Sequence, residues 1–290
     1  MTSSPLDPVS ARRRGETAAS SPSPSRLSFN QVTAERASLK EVVEACARHG
    51  VPYVAVWRHK LADIGVQTAA CLLRDAGVRV SSVCRGGMFP AATQEERAAR
   101  IEENRRALDE AATLGAGVLV LVCGAAPGRD IVAARRMVAD GIAELVPYAQ
   151  ERGVRLGIEP MHPGFAAERS CITTLREARR LAERFDLSTV GVVADVYHIW
   201  WDPELYDQLA RAAGRLVGLH VSDWLVPVHD VLMNRGMMGD GVIELRRIRE
   251  AVERTGYADP IEVEIFNQAV WDTPLDSLLP LVKERYRSCV

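Results

Sequence analysis

Residues 190–205 read VGVVADVYHIWWDPEL. An apolar run, 190–194, ends on Asp195; His198 follows three residues later, and Asp202-Pro203-Glu204 opens the next helix. A buried strand that finishes on Asp and is followed by x-x-His places an oxygen ligand and an imidazole at the strand mouth. Matching strand ends lie on either side. The segment 155–159 (RLGIE) ends on Glu159, 216–220 (LVGLH) ends on His220, and 261–264 (IEVE) ends on Glu264. Taken alone, a strand-end Asp is commonly a helix N-cap and a lone His a satisfied structural residue. Four apolar strands that each finish on a metal-ligand type are hard to explain by packing, and they read as one site.

Working outward, short β-branched runs alternate with helical periodicity along the chain. Strands are expected at 26–32, 51–57, 78–84, 117–122, 154–159, 190–195, 216–221 and 261–265. Helices are expected at about 39–50 (capped by Ser38), 66–75, 93–114, 129–152, 174–185, 203–213, 243–254 and over the C-terminus. The strands are continuous apolar runs rather than alternating ones, as expected when both faces are covered. Eight βα units favour a single (β/α)8 TIM barrel, an α/β fold, over an open doubly wound sheet. In a barrel all strand C-termini share one face, where active sites sit. Strands five to eight would then deliver Glu159, Asp195, His220 and Glu264 to one mouth. Glu262 lies on the same face as Glu264; Glu264 is preferred because it is nearer the mouth.

The 290 residues suit one large domain, since barrels of about 250 residues fold as one. Residues 1–26 are poor in large apolar side chains and rich in Ser, Pro and Arg, which suggests a disordered tail before a barrel over 27–290. The triplet Arg12-Arg13-Arg14 has no apolar segment after it, so it does not read as a secretion signal. Six scattered cysteines without a C-x-x-C fit reduced thiols and a cytoplasmic protein. No apolar run approaches the roughly 18 residues of a membrane span. A net charge of −2, with both signs interspersed, gives no footprint for nucleic acid.

Three carboxylates and an imidazole make a hard, oxygen-rich ligand set. It suits one divalent ion, Mn²⁺ by preference, with Mg²⁺, Co²⁺ or Zn²⁺ as alternatives. Such an ion would stabilise charge developing beside a carbonyl. Other residues fall at the expected mouth. Arg58, after strand two, and Arg85, after strand three, are suited to bidentate binding of phosphate or carboxylate. Gly86-Gly87 is either an ordinary turn or a place for backbone N–H groups to approach a ligand. Trp200, Trp201, Trp224 and Phe89 are candidates for a pocket wall.

The runs IEP (158–160), ADVYH (194–198), GLHVSD (218–223), GDG (239–241) and VEIF (263–266) resemble the xylose-isomerase-like TIM-barrel superfamily over roughly residues 27–285. That superfamily includes sugar and sugar-phosphate isomerases and epimerases, keto-inositol dehydratases and endonuclease IV. The resemblance implies metal ligation by Glu159, Asp195, His220 and Glu264, with Glu159 and Glu264 as the acid/base pair on opposite faces of the substrate. It implies contacts to substrate oxygens from His198. An arginine in the loop after strand seven also binds substrate in the resembling epimerases. Arg235 is its nearest match, although the loop at 224–238 is longer than the usual pattern. Those epimerases carry a further Glu soon after the strand-five ligand; here the segment is Pro160-Met161-His162-Pro163, and His162 is the closest polar substitute.

The expected function is thus a divalent-metal-dependent isomerase or epimerase of a sugar, sugar phosphate or keto-polyol, working through an enediolate. A lyase that eliminates from the same intermediate, or cleaves a 3-keto-glycoside, is the alternative. A nuclease of the endonuclease IV kind would need more His ligands than six histidines supply and a basic surface. A non-catalytic barrel would not need four ligands at one mouth. The partner is a small carbohydrate, with no nucleic acid and no membrane, and the resemblance implies a homo-oligomer.

Overall fold

The computed structural model describes residues 21–290. The chain runs β1 (Leu27–Asn30), α1 (Leu39–His49), β2 (Tyr53–Trp57), α2 (Val66–Ala76), β3 (Arg79–Gly87), α3 (Gln94–Thr113), β4 (Val118–Val122), α4 (Ile131–Arg152), β5 (Arg155–Glu159), α5 (Leu175–Ala182) and β6 (Val190–Asp195). It continues through α6 (Val196–Ile199), α7 (Leu205–Arg211), β7 (Leu216–Val221), β8 (Asp223–Trp224), β9 (Arg235–Gly236), α8 (Leu245–Arg254), β10 (Ile261–Val263), α9 (Gln268–Trp271) and α10 (Leu275–Cys289). Eight parallel strands close into a barrel in the order β1-β10-β7-β6-β5-β4-β3-β2, and β8 pairs with β9 in a separate antiparallel hairpin. The fold is a (β/α)8 TIM barrel.

Local chemistry accounts for the element ends. Ser38 and Glu41 form a reciprocal capping box at the start of α1, and Thr93 and Glu96 do the same for α3. Gly50 ends α1 at φ 63°, a left-handed conformation that glycine adopts without a Cβ clash. The main core lies between the strands and the surrounding helices, while Cys84, Val118, Val120, Val193 and Val217 fill the barrel interior with Trp57 against them.

Two expectations are corrected. The ordered body begins before residue 27. Arg26 pairs with Glu253 at 2.5 Å and donates from Nε to the Asp259 carbonyl at 3.0 Å, and the Tyr286 hydroxyl donates to the Ser23 carbonyl at 3.2 Å. These contacts fix 23–26 to the barrel, and the remainder of the expected tail, 1–20, lies outside the described residues. Gly86-Gly87 is neither a turn nor a ligand cradle, for both residues lie in β3. Asn104 of α3 accepts from the Gly87 amide at 2.6 Å and donates to its carbonyl at 2.8 Å. A Cβ on Gly87 would lie 2.1 Å from the Val122 carbonyl oxygen, so glycine serves close strand packing there.

Candidate active site

Register brings the strand ends to one level. Glu159 is paired with Val122, Asp195 with His220, and Glu262 with both His220 and Ser28. β10 ends at Val263, but the Glu264 amide still donates to the Val221 carbonyl at 3.1 Å, which holds the Glu264 side chain over the mouth. Ligand atoms of Glu159, Asp195, His220 and Glu264 all lie within 4.8 Å of one another, and all four residues are buried.

The His220 ring organises the cluster. Its Nδ1 lies 3.2 Å from Glu159 Oε1 and 3.6 Å from Glu264 Oε2, while Nε2 lies 3.1 Å from Glu262 Oε2 on the inner side. Arg235, from the hairpin, enters from above: Nη1 is 2.8 Å from Asp195 Oδ2 and 3.1 Å from Glu264 Oε2, and Nη2 is 3.1 Å from His198 Nε2. Asn30, at the end of β1, donates to Glu264 Oε1 at 3.1 Å and to Glu262 Oε2 at 3.3 Å, and accepts from Trp57 Nε1 at 2.7 Å. Asp195 Oδ1 accepts the Tyr197 amide at 2.9 Å, so this carboxylate also caps α6.

The model of one protein family, described as xylose isomerase-like TIM barrel, matches residues 43–283. The chain belongs to that family. Protein SMc04130 of Sinorhizobium meliloti 1021 is similar at 46% identity and TM-score 0.90, over 92% of this chain and 99% of that one. L-ribulose-5-phosphate 3-epimerase UlaE of Escherichia coli K12 is 25% identical over 209 residues, 68% of each chain. The IolI protein, solved with a zinc atom, shares the fold at 20% identity and TM-score 0.80, over 90% of this chain and 96% of that one.

The buried charges set the electrostatics of this family member. Burial lifts the Glu159 carboxyl to about 7; His220 opposes the shift, and Glu264 and Asp195 add to it. Burial also works against Asp195, but Arg235, His198 and His220 outweigh it and hold its pKa at about 2. Burial pushes His198 down to about 3, so it is neutral. His220 is raised well above the ordinary histidine value: burial opposes its charge, and Glu262, Glu159 and Glu264 prevail.

The donor set fits a divalent ion. Glu159 Oε1 and His220 Nδ1 are buried 3.2 Å apart with no aligned hydrogen-bond partner. Groups aimed at a common point without hydrogen-bond alignment are what a metal cluster presents once its ion is removed. Three carboxylates and one imidazole would hold the ion, and Glu262 on His220 Nε2 would be the outer carboxylate of a carboxylate–histidine–metal arrangement.

The other expected residues divide. His198 and Arg235 lie in the cluster, at 1% and 2% exposure. The long loop expected at 224–238 is in part the β8–β9 hairpin, and the pairing of Trp224 with Arg235 is what carries the arginine inward. His162 stands at the rim. Its Nδ1 accepts the Gly164 amide at 3.1 Å, and its ring lies 5.1 Å from Trp224 and 5.8 Å from Trp201. Trp200 and Tyr197 join Trp224 at 5.6 and 4.7 Å, which makes an aromatic wall. Phe89 is elsewhere, buried against Gly141 of α4. Arg58 is turned to α3, where Glu110 and Glu103 hold it at 2.5 and 2.8 Å, so its charge is already matched. Arg85 is exposed.

Sequence reading missed Asn30 and the inner role of Glu262. The signal for Asn30 was available, since 27–30 (LSFN) is another strand that finishes on a polar side chain. Glu262 was seen, but only the register with His220 separates the two glutamates.

Proposed function

We propose that the chain is a divalent-metal-dependent epimerase or isomerase of a sugar, sugar phosphate or related keto-polyol, acting by proton transfer at the carbon beside a carbonyl. One observation carries this reading. Glu159 and Glu264 reach His220 Nδ1 from strands that have β6 and β7 between them, inside a buried cluster of four ligand-type side chains. A divalent ion held by Glu159, Asp195, His220 and Glu264, manganese by preference with magnesium, cobalt or zinc as alternatives, supplies Lewis-acid polarisation of substrate oxygens. The curated relatives named as sugar-phosphate epimerases agree with the substrate class.

The chain's own residues do the rest. Glu159, its Oε1 buried without a hydrogen-bond partner, takes a proton from carbon on one face of the substrate. Glu264, across the mouth, returns a proton to the opposite face. Arg235 Nε and His198 Nδ1 are buried without a hydrogen-bond partner, so both are available to substrate oxygens. The aromatic wall of His162, Trp224 and Trp201 excludes water, which strengthens each of these contacts.

The test is solvent-derived deuterium exchange on a panel of ketoses, ketose phosphates and 3-keto-glycosides in D₂O with each metal. Deuterium entering one carbon is expected, and the labelled position separates epimerisation from isomerisation. Glu159→Gln and Glu264→Gln are each expected to lower the rate at least a hundredfold. Products of elimination would replace this reading with the lyase. No exchange on any substrate with metal bound would end it.

A further inference from the structure

Arg169 closes the segment that follows Glu159. Its guanidinium lies over the Phe165 ring, 5.7 Å from the centroid, and that ring is 5.6 Å from the ring of His198. Arg169 therefore stands one aromatic ring away from His198, which neighbours the ligand cluster. Its side chain is half-buried, and among the described residues it makes no hydrogen bond or ion pair. Burial works against its charge, and Arg85 and Arg235 add repulsion; Glu168 and Asp230 offset this in part. Asp230 is already engaged, its Oδ1 accepting the amides of Leu232 and Met233 at 2.7 and 2.8 Å.

Arg85 shares this rim. Three residues on, Met88 packs on the apolar patch of Val122, Met161 and Phe165, beneath Arg169, with Val231 and Leu232 at its edge. Gly124 ties the two segments together: its amide donates to the Arg169 carbonyl at 2.9 Å, and a Cβ on it would touch Met88. Arg85 also lines a recess of about 340 Å³ with Arg100, and among the described residues neither arginine has an ion pair. Arg58 in the same recess is matched by α3, so the unmatched charge there belongs to Arg85 and Arg100, and Arg169 adds its own from the Phe165 side.

Arg169 is half-buried and Arg85 exposed; two unpaired guanidinium groups that feel each other's charge repel, and an anion between them turns that repulsion into bidentate, charge-assisted hydrogen bonding. We infer that the substrate carries an anionic terminus, a phosphate monoester or a carboxylate, which Arg169 and Arg85 bind while its carbonyl end lies between Glu159 and Glu264. This rests on the proposed function of the same site and narrows it to anionic sugars.

Two measurements on the metal-loaded full chain test it. The first is binding of glycerol 3-phosphate, glycerate and glycerol, none of which presents a ketose to the acid/base pair. At least tenfold tighter binding of one anion over glycerol is expected, and the better anion identifies phosphate or carboxylate. Arg169→Met and Arg85→Met should each remove most of that preference, with Arg169→Lys restoring part of it at an unchanged Tm. The second is kcat/KM for a ketopentose, its 5-phosphate and the corresponding keto-acid. The anionic substrate should be favoured at least tenfold, and the methionine variants should lower that ratio chiefly through KM. Equal binding of glycerol and both anions, or full anion preference in both methionine variants, overturns the inference. Anion preference with no turnover of any substrate keeps the inference and removes the epimerase reading; turnover of neutral sugars with no anion preference does the reverse.

Discussion

Glu262→Gln isolates the residue beneath the proposed metal site. Glu262 is 3% exposed, and its Oε2 lies 3.1 Å from His220 Nε2 and 3.3 Å from Asn30 Nδ2. Glutamine has the same shape and keeps an acceptor oxygen, so no cavity forms and only the charge is lost. A hydrogen bond to a charged group contributes about 1.5–3 kcal/mol and a neutral one about 0.5–1.5, a difference of roughly 1–1.5 kcal/mol. That corresponds to about a tenfold rise in metal Kd, the lower end of the 10–100-fold range for such outer carboxylates. At a metal concentration 100 times the wild-type Kd, binding stabilises the fold by about 2.7 kcal/mol; a tenfold weaker site gives about 1.4. For a chain of this size the loss amounts to about 2 °C of the metal-dependent rise in Tm. Calorimetric titration with Mn²⁺ or Zn²⁺ measures Kd directly, and melting with and without metal measures the difference while cancelling any effect on the metal-free fold. A Kd within twofold of wild type would refute the orienting role. Complete loss of binding in Glu262→Gln, with Glu264→Gln still binding normally, would make Glu262 the ligand and refute the assignment of Glu264.

Two further outcomes follow from the same geometry. Metal affinity should rise with pH between about 6 and 8: neighbouring carboxylates hold the metal-free His220 charged well above its ordinary value, a ligand nitrogen must be deprotonated, and each proton released contributes about tenfold per pH unit. Affinity that does not change across this range, in buffers matched for metal binding, would contradict a ligating His220. Arg58→Ala should destabilise the fold by about 1–3 kcal/mol in denaturant melts, because it strands Glu110 (Glu103 keeps Arg106) and removes buried packing, while leaving KM for the best substrate within about twofold; a large rise in KM would return Arg58 to the substrate.

Much of this was legible in sequence because a parallel barrel turns a one-dimensional pattern into a location. A five- or six-residue apolar run that ends on a ligand type puts that side chain on the strand's C-terminal end, and closure puts all such ends on one face. Glu159, Asp195 and His220 could be named on that ground, with Glu264 preferred over Glu262 as nearer the mouth, and helix ends such as Ser38 and Gly50 are written in local backbone chemistry. What lay beyond reach was any choice among partners distant in the chain. Arg58 and Arg85 look alike in sequence, yet α3 supplies two glutamates to the first and none to the second. Arg235 sat in a loop of unpromising length until its pairing with Trp224 carried it onto Asp195 and Glu264. Glu262 and Glu264 share a strand face, and only the register that sets Glu262 beside His220 separates the glutamate beneath the ring from the one at the mouth. Periodicity fixes the direction a side chain takes from its own strand; which side chains it meets, 29 to 234 residues away, is decided when the barrel closes and its loops settle over the mouth.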